Sequence, residues 1–262
     1  MNATMRVLND WLRGLLWWEF WWRFGILDVT LRYRRTYLGP IWITLTFALT
    51  AAGLAFVYSV LFGVDIEAFI PYLVAGLSVW MFISGLITEG CTSLIRHAGL
   101  IREQNLPILG HAIRNVVSAL AVFLHNFVVA VAAILIFGGR PSPVMLLAVV
   151  GIAIIALNGV WMSVFFGLIG ARFRDLPPLI STLVGLSFLI TPVFWYRDML
   201  RARAMIADVN PFYHFIELVR APLLGEFPAS LTVAYIGAVT VIGWGLTLLV
   251  ATRLQPRLAY WV

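Results

Sequence analysis

Three arginines crowd one short stretch, Asp28-Val29-Thr30-Leu31-Arg32-Tyr33-Arg34-Arg35-Thr36-Tyr37-Leu38-Gly39-Pro40, immediately before a long apolar run. A guanidinium is a planar fork of donors that grips a phosphate bidentately, so Arg32, Arg34 and Arg35 could hold a phosphate at a membrane surface. The same side chains would also serve as anchors attracted by anionic lipid. A second segment, Ser93 to Pro107, is amphipathic at its centre and ends on a proline. It suits a small helix parallel to the membrane that a cytosolic partner could push, or a plain polar connection. A third, Thr191-Pro192-Val193-Phe194-Trp195-Tyr196, sets three aromatics after a proline. Aromatic faces stack on the apolar faces of sugars, although Trp and Tyr at span ends also form interfacial belts.

Other reactive residues are sparse. Cys91 is the single cysteine, which excludes an internal disulfide, and the histidines at 97, 111, 125 and 214 fall in no metal-binding spacing. No catalytic residue and no metal site are expected. Glu89, His125, Asn126 and Asn158 lie within apolar runs, where polar groups either function or join helices.

The elements that must position these groups are membrane spans. The chain has 262 residues, 62% of them hydrophobic and 11% charged, with a mean hydropathy of +0.96, which places it outside the soluble class. At about 20 apolar residues per crossing it holds six transmembrane helices, expected at 40–63, 70–94, 113–137, 144–169, 179–196 and 229–252. Residues 1–39 are expected to be an N-terminal cytoplasmic segment with an amphipathic helix in the interface, carrying Trp11, Trp17, Trp18, Trp21 and Trp22, and Glu19 paired with Arg23. Glu19 and the closing arginines argue against a cleaved signal. Residues 197–228, with Pro211, Pro222, Gly225 and Pro228, are expected to form short re-entrant helices between spans five and six, with an exposed loop as the alternative. The fold class is thus all-α membrane protein.

The sequence contains no lysine, so its net charge of +6 is entirely arginine. A phosphate-cradling G-x-x-x-x-G-K-[ST] loop is therefore excluded, and any ATP-driven motor must be another polypeptide. Counting arginines in short connections puts thirteen on one side and five on the other, so both termini are expected in the cytoplasm. Membrane lipids, and no nucleic acid, are the expected partners of this charge. Six spans make a thin pore, and a homodimer is the simplest way to enclose one.

Four segments in order resemble the membrane subunits of type-2 ABC exporters for O-antigen, capsule and teichoic-acid polysaccharides. They are Arg32-Tyr33-Arg34-Arg35-Thr36-Tyr37-Leu38-Gly39-Pro40; Ala171-Arg172-Phe173-Arg174-Asp175; Thr191-Pro192-Val193-Phe194-Trp195; and Asn210-Pro211-Phe212-Tyr213 with Arg220-Ala221-Pro222-Leu223-Leu224-Gly225. The likeness runs from about residue 20 to the end. It implies a homodimer docked on two cytosolic ATPase subunits that bind ATP and magnesium, with no cofactor in this chain. It further implies export of a glycan on undecaprenyl diphosphate across the bacterial inner membrane.

Under that resemblance Arg32, Arg34 and Arg35 meet the lipid diphosphate, and Trp42, Tyr58, Tyr72, Trp80, Phe188, Phe194, Trp195 and Tyr196 line the glycan channel. Leu100, Ile101, Arg102, Glu103, Asn105 and Pro107 belong to the coupling helix, and 197–228 forms gate helices at the exit. Leu106-Pro107 departs from the Phe-Pro more usual in such chains. The alternatives are a type-2 exporter of another lipid or a drug, or a membrane glycosyltransferase. The latter needs acids at a membrane face, where only the isolated Asp28, Asp175 and Asp198 stand.

Overall fold

The computed structural model describes residues 2–34, 36–104, 106–137 and 141–262. The described chain is helical: α1 (Ala3–Leu16), α2 (Trp18–Tyr33), α3 (Ile41–Phe62), α4 (Ile66–Arg96), α5 (Ala98–Gln104), α6 (Ile108–Ile136), α7 (Leu146–Arg172), α8 (Leu176–Ile190), α9 (Met205–Asp208), α10 (Pro211–Leu223) and α11 (Ser230–Leu254). Short 3-10 turns cover Pro143–Met145, Arg197–Arg203 and Gln255–Tyr260. Among the described residues, five helical stretches are long and apolar enough to cross a bilayer: Ile41–Phe62, Ile66–Arg96, Ile108–Ile136, Pro143–Arg172 and Ser230–Tyr260.

Of the expected crossing at 179–196, the helix covers only Leu176–Ile190. Its helix has 15 residues, about 22 Å, short of a 30 Å hydrocarbon core. It starts early because Pro177 and Pro178 fit a first helical turn, where a missing N–H costs nothing. It stops at Ile190 because Pro192 forces the preceding Thr191 into extended geometry, with φ −88° and ψ 134°.

Packing radiates from α4. Most of its length is buried, including Leu73, Ala75, Val79, Ile83 and Leu86. Against it lies α7, whose Gly159, Ser163, Gly167 and Ala171 recur at four-residue spacing on one face. Such small residues let membrane helices approach backbone to backbone, and a Cβ at Gly170 would stand 2.3 Å from the Cys91 carbonyl oxygen. Between the outer helices, Asn158 donates to Thr240 Oγ1 at 2.9 Å and joins α7 to α11. Asn115 donates to Ser163 Oγ at 2.8 Å and joins α6 to α7. His125 contacts its own helix at Ala121 O instead of bridging. By contrast α3 buries only a stripe of Ile43, Phe47, Ala51, Ala55 and Ser59, and α8 only Val184, so large apolar faces remain open.

The N-terminal expectation is also sharpened. The segment is two helices broken at Trp17, and α2 packs on α6. Trp21 is fully buried and Trp11 nearly so, edge-on to Trp244 at 5.7 Å, while Trp17, Trp18 and Trp22 stay exposed. Gly110 makes room for the Trp21 indole, since a Cβ there would come within 1.9 Å of the ring. Among the described residues no ion pair joins Glu19 to Arg23.

Candidate functional site

At one end of the bundle the chain after α8 turns inward instead of running over the surface. Irregular backbone at that depth needs internal partners for its carbonyls. It finds them in side chains. Arg220 Nη1 donates to Pro192 O at 2.7 Å, Tyr72 Oη donates to Trp195 O at 3.0 Å, and Asn210 Nδ2 donates to Thr191 Oγ1 at 2.9 Å. Asn210 Oδ1 also caps α10 by accepting from Phe212 N at 2.9 Å. Arg220 lies fully inside, 1% exposed, hydrogen-bonded to Glu217 and stacked 3.9 Å from the Tyr72 ring centre. A Cβ on Gly76 would sit 2.9 Å from its guanidinium. Position 76 lies ten residues into α4, so the Arg220 side chain meets α4 about 15 Å along its length. The exposed-loop alternative for this part of 197–228 is therefore set aside.

Around this turn the structure gathers most of the aromatics singled out by sequence. Ring centres stand 4.5 Å apart for Tyr58 and Phe194, 5.2 Å for Phe188 and Phe194, 5.3 Å for Trp80 and Phe188, and 4.4 Å for Tyr72 and Tyr196. Phe212 joins at 5.1 Å from Trp80, and Phe69 at 6.0 Å from Tyr196. Trp80 and Phe194 are buried in the cluster, whereas Tyr58, Tyr72, Phe188 and Tyr196 keep part of their surface open. Trp195 instead lines an apolar groove with Phe62, Leu189, Ile190 and Met199. Trp42 stands apart on the exposed face of α3. Phe69, Phe212 and the bracing role of Arg220 were not foreseen. A lone arginine inside a Pro-flanked amphipathic segment was the available signal.

Beyond the cluster, Arg197 grips Asp208 bidentately, Nε to Oδ1 at 2.8 Å and Nη2 to Oδ2 at 2.7 Å. Those hydrogen bonds hold the Asp208 carboxyl below its ordinary value of 3.8. A carboxylate stabilised this way supports the fold above its unfolded pKa and loses that support as pH falls through the lowered folded value. The 197–210 turn is thus expected to keep its protection from amide exchange down to about pH 4. Protection then falls below that pH, and Asp208→Asn abolishes the step. Hydrogen exchange measured between pH 6 and pH 3 checks this.

The opposite end carries the basic residues. Arg114, just inside α6, donates to Asp28 of α2 from Nε at 2.6 Å and Nη2 at 2.5 Å. Arg96 reaches Glu89 at 2.6 Å, and Arg32 reaches the same carboxylate at 3.7 Å. These groups line a cavity of about 230 Å³ between α2, α4 and α6. Arg34 is exposed beyond α2, and Arg35 falls outside the described residues. Glu89 was singled out by sequence, while Arg96 and Arg114 were counted only as loop arginines. Arg114 sits within an apolar helix, and that was the missed sign.

Here too the termini converge on the connections. Leu100, Ile101, Arg102 and Glu103 lie on the seven-residue α5, with Ile101 buried and Glu103 exposed, and Asn105 falls outside the described residues. Pro107 is buried at the start of α6. Arg102 Nε donates to Val262 O at 2.6 Å, Arg174 Nη2 donates to Trp261 O at 2.7 Å, and Arg172 stacks on the Trp261 ring at 4.8 Å. Asp10 of α1 accepts from Ile108 N at 3.1 Å and from Gln255 at 2.8 Å. Burial pushes its carboxyl up, against those two hydrogen bonds. α1, α5, the 172–175 connection and the last residues are thus tied together by these contacts.

The sequence profile of the family described as ABC-2 type transporter matches residues 19–224. An O-antigen export system permease protein RfbA of Klebsiella pneumoniae is 27% identical to the chain over 240 residues, covering 88% of this chain and 90% of the relative. A second protein of that name and organism is 28% identical over 194 residues, covering 72% and 74%. One from Myxococcus xanthus is 23% identical over 187 residues, covering 70% and 72%.

Proposed function

The chain belongs to the ABC-2 type transporter family, and we propose that it is the membrane subunit of an ATP-driven exporter carrying a lipid-linked polysaccharide across the bacterial inner membrane. One observation carries the reading: relatives named as O-antigen export permeases align with 70–88% of the chain, and the family match at 19–224 takes in four of the five helices long and apolar enough to cross a bilayer. As a permease subunit it transports and does not catalyse.

Several features support the finer statements. The absence of lysine rules out a G-x-x-x-x-G-K-[ST] loop in this chain and so supports ATP and magnesium being bound by a separate ATPase subunit. The platform of α1, α5, Arg174 and the last residues is suited to take the push of that subunit, with Leu100, Ile101, Arg102, Glu103, Asn105 and Pro107 in the coupling role. That end is then cytoplasmic, in keeping with its thirteen arginines. Because α4 fills the middle of one copy, a path for a glycan must lie on the open faces of α3 and α8, between two copies. The short α8 and its 191–196 continuation serve as the sixth crossing, and α10 as a gate. Tyr58, Tyr72, Phe188, Trp195 and Tyr196, with Trp42 on α3, offer stacking faces to sugar rings, while Trp80 and Phe194 brace them. Arg32, Arg34 and Arg35 approach the lipid diphosphate.

The test is made on purified protein and on cells. The chain alone is expected to show no ATP hydrolysis, and hydrolysis is expected to appear when its ATPase partner is added. Cells lacking the chain accumulate lipid-linked glycan on the inner face. Hydrolysis by the chain alone would refute the reading, and an inner-face build-up of a different lipid would reassign the cargo.

A further inference from the structure

We propose that the cavity between α2, α4 and α6 binds a phosphate-bearing lipid headgroup, with Arg96 and Arg114 holding the anion and Glu89 acting as an internal stand-in that the phosphate displaces. The inference rests on the permease reading and deepens it by naming a headgroup site.

The charges come first. Three guanidiniums, Arg32, Arg96 and Arg114, line the cavity against two carboxylates, Asp28 and Glu89, which leaves one positive charge uncompensated among these five groups. Each carboxylate is already engaged. Asp28 takes Nε and Nη2 of Arg114, and Glu89 takes Arg96 with Arg32 at longer range. The third nitrogen, Arg114 Nη1, is buried and has no hydrogen-bond partner, although the residue is only 8% exposed. A buried cationic N–H without an acceptor is a standing penalty, and a phosphate oxygen removes it once the guanidinium turns toward the cavity.

Glu89 is placed to be replaced. Its side chain is 35% exposed, so its carboxylate can turn back to water when a stronger anion takes Arg96 and Arg32. The carboxylate and the phosphate then compete for the same donors. That gives the two side chains opposite effects on affinity.

The shape favours a lipid over a free anion. Along α6 the lining runs from Arg114 to Asn126, about 18 Å, and on α4 from Arg96 to Met81 and Phe82. The cationic end opens into a stretch walled by Met81, Phe82, Val122 and Phe123, with Asn126 at its far limit. Such a cavity fits a headgroup with the first carbons of its chain.

Binding is measured on the full chain in nanodiscs, with a polyprenyl diphosphate, phosphatidylglycerol and inorganic pyrophosphate as three separate probes. Glu89→Gln is expected to tighten binding of a phosphate lipid about tenfold, and Arg96→Gln to weaken it about tenfold. Arg32→Gln gives a second weakening variant should Arg96→Gln not yield folded protein. The lipid that shows the opposite responses is the source of the headgroup. Responses confined to inorganic pyrophosphate overturn the lipid assignment, and folded variants without opposite responses for any probe overturn the site. Those failures, with partner-dependent ATP hydrolysis intact, would leave the permease reading standing.

Discussion

Replacing Arg220 with methionine is expected to lower the stability of the purified chain by about 3–5 kcal/mol, the usual cost of stranding the partner of a buried charge. The side chain donates to Pro192 O and to Glu217, and stacks on Tyr72, all from a position 1% exposed. Its loss leaves the Glu217 carboxylate without its counter-charge and the Pro192 carbonyl without a donor, at a depth where water is scarce. A second change, Glu217→Gln, removes the stranded charge. The double variant is therefore expected to regain part of the loss, leaving mainly the orphaned carbonyl. Thermal unfolding in detergent, read beside proteolysis at 191–225, measures both. A double variant no better than Arg220→Met would show that the ion pair is not what holds the turn.

Gly170→Ala is expected to destabilise by about 1–3 kcal/mol, although alanine is the better helix former. The new Cβ would lie 2.3 Å from Cys91 O, and a backbone oxygen cannot rotate away as a side chain would. α4 and α7 must separate, loosening the tightest contact around the buried α4. Gly185→Ala is the control. Nothing lies within 4 Å of a Cβ there, so propensity alone acts and stability is expected to hold or rise by up to about 1 kcal/mol. Equal effects at the two positions would mean that the close α4–α7 approach does not limit stability.

The sequence by itself determined the class of molecule. Long apolar runs with arginines between them can only be membrane helices, because hydrocarbon leaves no other partner for the backbone. Five of the six expected spans correspond to helices whose ends lie within five residues of the expected bounds, Ile41–Phe62, Ile66–Arg96, Ile108–Ile136, Leu146–Arg172 and Ser230–Leu254. The absence of lysine likewise excluded an ATP loop without any structure. The family likeness was readable from segments such as Arg172-Phe173-Arg174-Asp175 and Asn210-Pro211-Phe212-Tyr213, which fall within the matched length.

What hydropathy could not decide was which apolar side chains face one another. The run 179–196 reads as one span because Val193, Phe194 and Trp195 are as apolar as the helix before them. A single proline and the donors of Arg220 and Tyr72, brought from far along the chain, turn those residues out of the helix. Trp21 reads as an interfacial indole until Gly110, nearly ninety positions away, is seen to open a slot for it. Arg114 reads as a loop charge until Asp28 takes two of its nitrogens and leaves the third facing no acceptor. Composition and periodicity are properties of neighbours in sequence and fixed the helices. Burial, pairing and the unpaired donor depend on residues tens of positions apart, and only the folded chain brings those together.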